Sequence, residues 1–270
     1  MKDLTFGQYY PTNSFVHKMD ARVKILLMVA YIVAIFFIKG YFGYAITALL
    51  ILSLSLISKV PFTKILKSVK RIVLILVITA ALNLFFVKEG NVIVNWWIIR
   101  ITDYGLNYAI MMALRLVFLV IGTTFLTLTT TPTALTDGIE SLLKPLKYIK
   151  IPVHDIAVIM SIALRFIPTL MEETTKIMNA QKARGATFDT GRLYQRAKAL
   201  LPVLIPLFVN AFRRADELAL ALDARCYNAT PNRTKYKVQK VTLRDVAGIL
   251  LIGGYLALVL LDKYLWAGLF

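Results

Sequence analysis

From Ile25 to Ile57 the chain runs for thirty-three residues with one charged side chain, Lys39, and this run limits the fold more than any other feature. As a single helix it would be about 50 Å long, against a hydrocarbon layer about 30 Å thick. A hairpin turning at Lys39-Gly40-Tyr41 resolves the mismatch. Its first arm, LLMVAYIVAIFFI, is short for a span unless Ala21 to Lys24 join it with their charges snorkelling to the interface. Three further apolar blocks run from Val69 to Val87, about Leu106 to Leu128, and about Val246 to Trp266. Five spans are expected. The composition agrees, with 58% hydrophobic and 17% charged residues, where soluble chains carry about 45–50% and about 25%. That excludes a disordered or fibrous chain and argues against a water-soluble enzyme, whose core could not hide so much apolar side chain.

Charge placement gives an orientation. Lys plus Arg outnumber Asp plus Glu by 32 to 15, a net charge of +17. Such an excess fits nucleic acid or a membrane protein with basic cytoplasmic surfaces, and the apolar bulk favours the second. Lys18, Arg22 and Lys24 precede the first span. Lys59, Lys64, Lys67, Lys70 and Arg71 fill the loop before the third, with no acid among them. The loop from Lys88 to Asp103 balances two bases with two acids. The positive-inside rule therefore places the N-terminus and the 59–71 loop in the cytoplasm, and five spans leave the C-terminus outside. The first twenty residues lack the apolar core of a cleaved signal, so insertion is expected to rest on the internal helices.

Residues 130–244 interrupt this pattern with a 115-residue insert holding 18 basic and 9 acidic residues. It divides the chain into an N-terminal membrane domain (1–129), an interfacial or cytoplasmic helical region (130–244) and a C-terminal span (245–270). Val153 to Met178 begins apolar and turns polar after Glu172-Glu173. Leu193 to Arg225 repeats that order, turning polar around Arg213-Arg214. Pro168, Pro202 and Pro206 are expected to bend or break these helices. The apolar blocks 153–170 and 199–212 read either as two more spans, seven in all, or as embedded amphipathic helices. The second block is short for a span and carries two prolines, which favours embedding.

The polar ends of the two insert helices share a local pattern. One reads NAQKARGA around Arg184 and the other LALDARCY around Arg225. A cation near a helix C-terminus is ordinary, since the macrodipole favours it, and Gly185 is an ordinary helix stop. Two slim tips, each with one planar five-donor group between small residues, point further, to paired docking of carboxylates on another protein. Ala211, Ala215 and Ala219, at spacings of four, would let the two arms approach closely. They also fit simple helix propensity.

Other signals are weaker. Arg115 inside the fourth span reads equally as a pathway residue or as one facing a protein interior. His17 and His154 are isolated, and Cys226 is the single cysteine, so neither a metal set nor an intrachain disulfide is expected. No phosphate-binding glycine loop or nucleophile elbow appears. A secondary transporter would want more ionisable groups at mid-membrane, and a membrane enzyme a cluster of His, Asp or Glu.

The segments HKMDARVKILL (17–27), LRFIPTLMEETTKIMNAQKARGA (164–186) and FRRADELALALDARCY (212–227) together resemble the transmembrane T component of energy-coupling factor transporters, importers of vitamins and metal ions in bacteria and archaea. The resemblance spans nearly the whole chain. It implies an all-α polytopic fold in the cytoplasmic membrane, with about five membrane helices and long coupling helices crossing like an X. It implies a non-catalytic scaffold that joins two related cytoplasmic ATPases, usually a heterodimer, to one or several small substrate-binding membrane subunits. ATP is used by those partners and no cofactor is bound directly; membrane lipids are the other neighbours, and nucleic acid is not. The docking residues it implies are Ala183, Arg184 and Gly185 at one tip and Ala224, Arg225 and Cys226 at the other. Cys226 departs from the usual glycine, and Ala21 from a usual proline. The cargo is not legible, although overall resemblance favours a shared vitamin module over a dedicated metal system.

Overall fold

The computed structural model describes residues 9–87, 91–96, 99–149, 152–188, 192–227 and 242–267. Its helices are α1 (Ala21–Phe37), α2 (Tyr41–Ser58), α3 (Phe62–Phe86), α4 (Asp103–Thr129), α5 (Pro132–Leu143), α6 (Val153–Ala183), α7 (Leu193–Ala224) and α8 (Leu243–Ala267). The chain divides into two compact units, Met1–Leu142 with Gln239–Phe270, and Leu143–Val238.

In the first unit the expected hairpin is present, turning between Phe37 and Tyr41. Asp20 caps α1 by accepting from Arg22 N at 2.9 Å, and its own backbone N–H donates to Asp245 Oδ1 at 2.8 Å, tying the starts of α1 and α8 together. α1 is apolar on all sides and packs against both α4 and α8, as an all-round hydrophobic helix must. Ala34 and Ile35 are fully buried there, in a core shared with Tyr44 and Leu50 of α2 and Ile252, Tyr255 and Val259 of α8. Gly122 of α4 lies under the Tyr31 ring, where a Cβ would collide. That close approach lets Tyr31 Oη donate to the Phe118 carbonyl at 2.9 Å. A second cluster, Ile51, Val60, Ile65, Ile121, Phe125 and Leu128, joins α2, α3 and α4.

Lys24 differs from the sequence expectation. Its charge does not snorkel to the interface; the residue is 7% exposed. Nζ donates to the Thr129 carbonyl at 3.0 Å and to Thr130 Oγ1 at 3.3 Å. The C-terminus of α4 presents carbonyls without intrahelical partners, and a cation satisfies both their hydrogen bonding and their partial charge. The basic stretch 59–71 also differs from a loop. Lys59 is the left-handed C-cap of α2, and α3 starts at Phe62 after Pro61. Lys64, Lys67, Lys70 and Arg71 therefore stand exposed on the first turns of α3, with Lys64 Nζ 3.9 Å over the Tyr10 ring.

An antiparallel pair of short strands, β1 (Val92–Trp96) and β2 (Ile99–Thr102), precedes α4 with Trp96 opposite Ile99. This hairpin is the one departure from all-α architecture among the described residues. The third span, expected to end at Val87, does so: α3 stops at Phe86 with Val87 as its C-cap, and Lys88-Glu89-Gly90, which follow, lie outside the described residues.

Among the described residues, five helices are long and apolar enough to cross a membrane: α2, α3, α4, α6 and α8 through Asp262. The number equals the expectation but the set does not. α1, with 17 residues, falls just short, and α6 enters because its first half carries a long apolar window.

In the second unit α6 and α7 run without interruption for 31 and 32 residues. Pro168, Pro202 and Pro206 all lie inside them, so none breaks its helix. Each proline removes one donor and leaves the ladder on either side to carry the chain through. At the start of α7, Arg192 N donates to Gln195 Oε1 at 3.0 Å.

Two helix tips as the candidate docking site

α6 and α7 touch along their middles. Glu173 accepts from Asn210 Nδ2 at 2.6 Å through Oε1, and its Oε2 stands 3.0 Å from Arg214 Nη2. Glu173 has 16% of its side chain exposed and Arg214 31%. In sequence Glu172-Glu173 and Arg213-Arg214 are no more than polar texture; the structure turns one member of each pair, Glu173 and Arg214, inward. Leu170 and Ile177 flank Glu173 at helical spacing of three and four, so a carboxylate on that stripe was the available signal. On α7 the half-buried stripe is Asn210, Arg214, Leu218 and Leu222, with Ala211 beside it. Ala215 and Ala219 are exposed, so the alanine series does not form the contact expected of it.

Beyond this contact both helices end in the same way. At the first tip Ala186 N donates to Gln181 O at 3.0 Å and Gly185 N to Lys182 O at 2.9 Å. At the second, Tyr227 N donates to Leu222 O and Cys226 N to Asp223 O, both at 2.9 Å. These are two Schellman stops, each satisfying carbonyls that the helix end leaves without partners. The residue that follows must be left-handed: Gly185 has φ +89° and Cys226 φ +51°. The arginines sit at equivalent C-cap positions, Arg184 at φ −86°, ψ 7° and Arg225 at φ −92°, ψ 9°.

Ala183, Arg184, Gly185, Ala224, Arg225 and Cys226 are all exposed. A Cβ built on Gly185 would meet nothing within 4 Å, so that tip is bare. Each guanidinium thus stands at the negative end of a helix dipole with its donors turned to solvent. Such a group suits a bidentate carboxylate partner. Both helices end where the sequence pattern places their ends, and the pattern leaves open whether the second tip needs a positive φ. It does, and a β-carbon-bearing residue supplies it.

Among the described residues no three of His, Cys, Asp and Glu gather as a metal set. His17 sits in the N-terminal segment with Ser14 Oγ 2.6 Å from Nδ1 and Thr12 Oγ1 3.2 Å from Nε2. Burial first, and the Lys24 ammonium second, lower its pKa from the ordinary 6.5. Arg115 faces the protein interior, donating through Nη2 to the Ile38 carbonyl at 3.1 Å.

Five of the described helices are long and apolar enough to cross a membrane, α6 among them, and α6 and α7 each end in an exposed arginine: these are the features of a multi-pass membrane protein. Comparison with known proteins gives the family. The model of the cobalt transport protein family matches residues 12–236. The energy-coupling factor transporter transmembrane protein of Thermosediminibacter oceani is 47% identical over 266 residues, covering 98% of this chain and all of that one. Its counterpart in Clostridium kluyveri is 49% identical over 267 residues, covering 98% and 99%. That of Bacillus subtilis is 43% identical over 249 residues, covering 92% and 94%. The chain belongs to this family, as a transmembrane component of an energy-coupling factor transporter. These relatives are transporter membrane subunits rather than enzymes, which agrees with the non-catalytic role expected here.

Proposed function

We propose that this subunit joins two related cytoplasmic ATPases to a small substrate-binding membrane protein, and so couples ATP hydrolysis to uptake of a vitamin or similar micronutrient. The observation that carries the reading is the matched pair of Schellman stops at α6 and α7, each exposing one arginine. In this reading Ala183-Arg184-Gly185 and Ala224-Arg225-Cys226 enter acidic grooves, one on each ATPase. The small flanking residues let the backbone approach, and each guanidinium pairs with carboxylates. ATP binding by the partners draws the grooves together. Because α6 and α7 are joined at Glu173, Asn210 and Arg214, displacement of the tips passes through that contact into the apolar halves of both helices.

Those halves expose Ile156, Ile159 and Met160 on α6 and Ile205, Phe208, Val209 and Phe212 on α7. They form the platform on which the substrate-binding subunit rests, and its reorientation releases the cargo. No nucleotide or metal is held by this chain in the cycle. Co-purification from detergent tests the docking step. The double variant Arg184→Glu/Arg225→Glu is expected to lose both ATPases, and each single variant to weaken recovery. Undiminished recovery with the double variant would refute docking through these tips.

A further inference from the structure

A cavity of about 440 Å³ opens into the end of the bundle where α1 and α8 begin and α2 and α4 finish. Met19, Leu27, Leu54, Phe125 and Leu251 are among its walls, so the N-terminal segment and all four helices contribute. Gly248 of α8 is a wall residue too. A Cβ there would collide with Met19 Cε, and its absence lets the N-terminal segment lie close on α8.

Only three wall side chains carry nitrogen or oxygen, and each is already satisfied within the protein. Tyr31 Oη donates to the Phe118 carbonyl at 2.9 Å, and Thr129 Oγ1 to the Phe125 carbonyl at 2.8 Å. Lys24 Nζ has three acceptors for its three donors: the Thr129 carbonyl at 3.0 Å, Thr130 Oγ1 at 3.3 Å and the His17 carbonyl at 3.4 Å. These side chains have no donor left for a ligand. Water, which needs about two to four polar partners, gains nothing there, and a polar solute would lose its hydration without compensation. A partner helix, about 10–12 Å across with its side chains, does not fit a cavity of this size. Hydrocarbon remains, and beside a membrane subunit it is supplied by lipid tails.

Charge at the same end of the bundle selects among lipids. Lys18, Lys59 and Arg244 are exposed, and they lie one, two and three residues from the wall residues Met19, Ile57 and Ala247. The acids of the same stretches are buried. Asp20 caps α1, and Asp245 accepts from Thr242 N at 2.7 Å and from Asp20 N at 2.8 Å. The positive-inside rule puts this end in the cytoplasm, where the leaflet carries anionic lipid.

We propose that the cavity binds one anionic phospholipid of the inner leaflet, with an acyl chain between α1, α2, α4 and α8 and the phosphate among Lys18, Lys59 and Arg244. The tail fills space that side-chain packing leaves open and supports residues 15–19 where they cross the bundle. The site lies wholly in the first unit and uses none of the residues of the two arginine tips.

Native mass spectrometry tests this on the full-length chain in detergent, delipidated and titrated with dioleoylphosphatidylglycerol or dioleoylphosphatidylcholine. One phosphatidylglycerol is expected to stay bound, roughly tenfold more tightly than the choline lipid with the same tails. Lys18→Gln/Arg244→Gln should remove that preference and keep the tail-dependent part. Ala247→Trp, which fills the cavity from a small exposed wall residue, should weaken both lipids roughly tenfold. Equal affinity of the parent chain for the two lipids would overturn the headgroup assignment, and unchanged binding in Ala247→Trp would overturn the cavity. The parent chain alone gives a second readout. One equivalent of phosphatidylglycerol carrying a diazirine on its tail is expected, on photolysis, to label Leu54, Leu126 and Leu251. Label confined to outward residues such as Leu74 and Leu250 refutes the site.

Discussion

Glu173 Oε2 on α6 stands 3.0 Å from Arg214 Nη2 on α7, and each residue lies eleven positions before the arginine at its own helix tip. At 1.5 Å per residue each arm is about 16 Å long. Asn210 completes the contact from one turn back on α7, so the carboxylate is held by two groups rather than by charge alone. A carboxylate with this little exposure loses more when its partners go than a surface ion pair does.

Removal of this contact is therefore expected to separate assembly from coupling. Glu173→Ala should destabilise the α6–α7 pair by about 1–3 kcal/mol while leaving Arg184 and Arg225 in place. Complexes should still form, with ATP hydrolysis retained and uptake into proteoliposomes reduced. Full uptake in the variant would show that the contact transmits nothing.

The second tip stores backbone strain that the first avoids. A residue with a β-carbon in the left-handed region costs about 1 kcal/mol more than glycine. Cys226→Gly is expected to raise stability by about that amount, and Gly185→Ala to lower it similarly. Thermal unfolding of the two variants checks both signs. Equal midpoints for Cys226→Gly and the parent chain would mean that Cys226 is not strained.

His17 predicts a pH dependence. Its pKa is lowered in the fold, chiefly by burial and then by Lys24. The unfolded chain therefore takes up a proton first as pH falls, and stability is lost between about 6.5 and the lower folded value. Above 6.5 the contribution is fully present. Unfolding midpoints measured from pH 7.5 to 5 should fall more steeply in the parent chain than in His17→Gln. Parallel curves would remove His17 as the cause.

The sequence announced the parts whose cause is local. Apolar runs cut by charge or glycine mark α1, α2, α4 and α8 to within a few residues, because burial of a long helix needs an unbroken apolar stretch. The tips were legible for the same reason, since a small residue, an arginine and a stop follow one another along the chain. Tertiary choices were hidden. Lys24 reads as an interfacial charge until the end of α4 is seen beside it. Glu173 and Glu172 look equivalent until α7 takes up one of them. The three prolines suggest breaks, yet the surrounding ladder holds α6 and α7 continuous. Arg115 was open between a pathway and an interior, and the Ile38 carbonyl decides for the interior.

The sole cysteine of the chain lies exposed at the α7 tip, one residue beyond Arg225. A thiol-reactive fluorophore or spin label added to the unmodified sequence would therefore attach at one position only, on the surface through which one partner is proposed to engage. The protein carries its own reporter: occlusion, release and movement of that tip become observable without engineering any other part of the molecule.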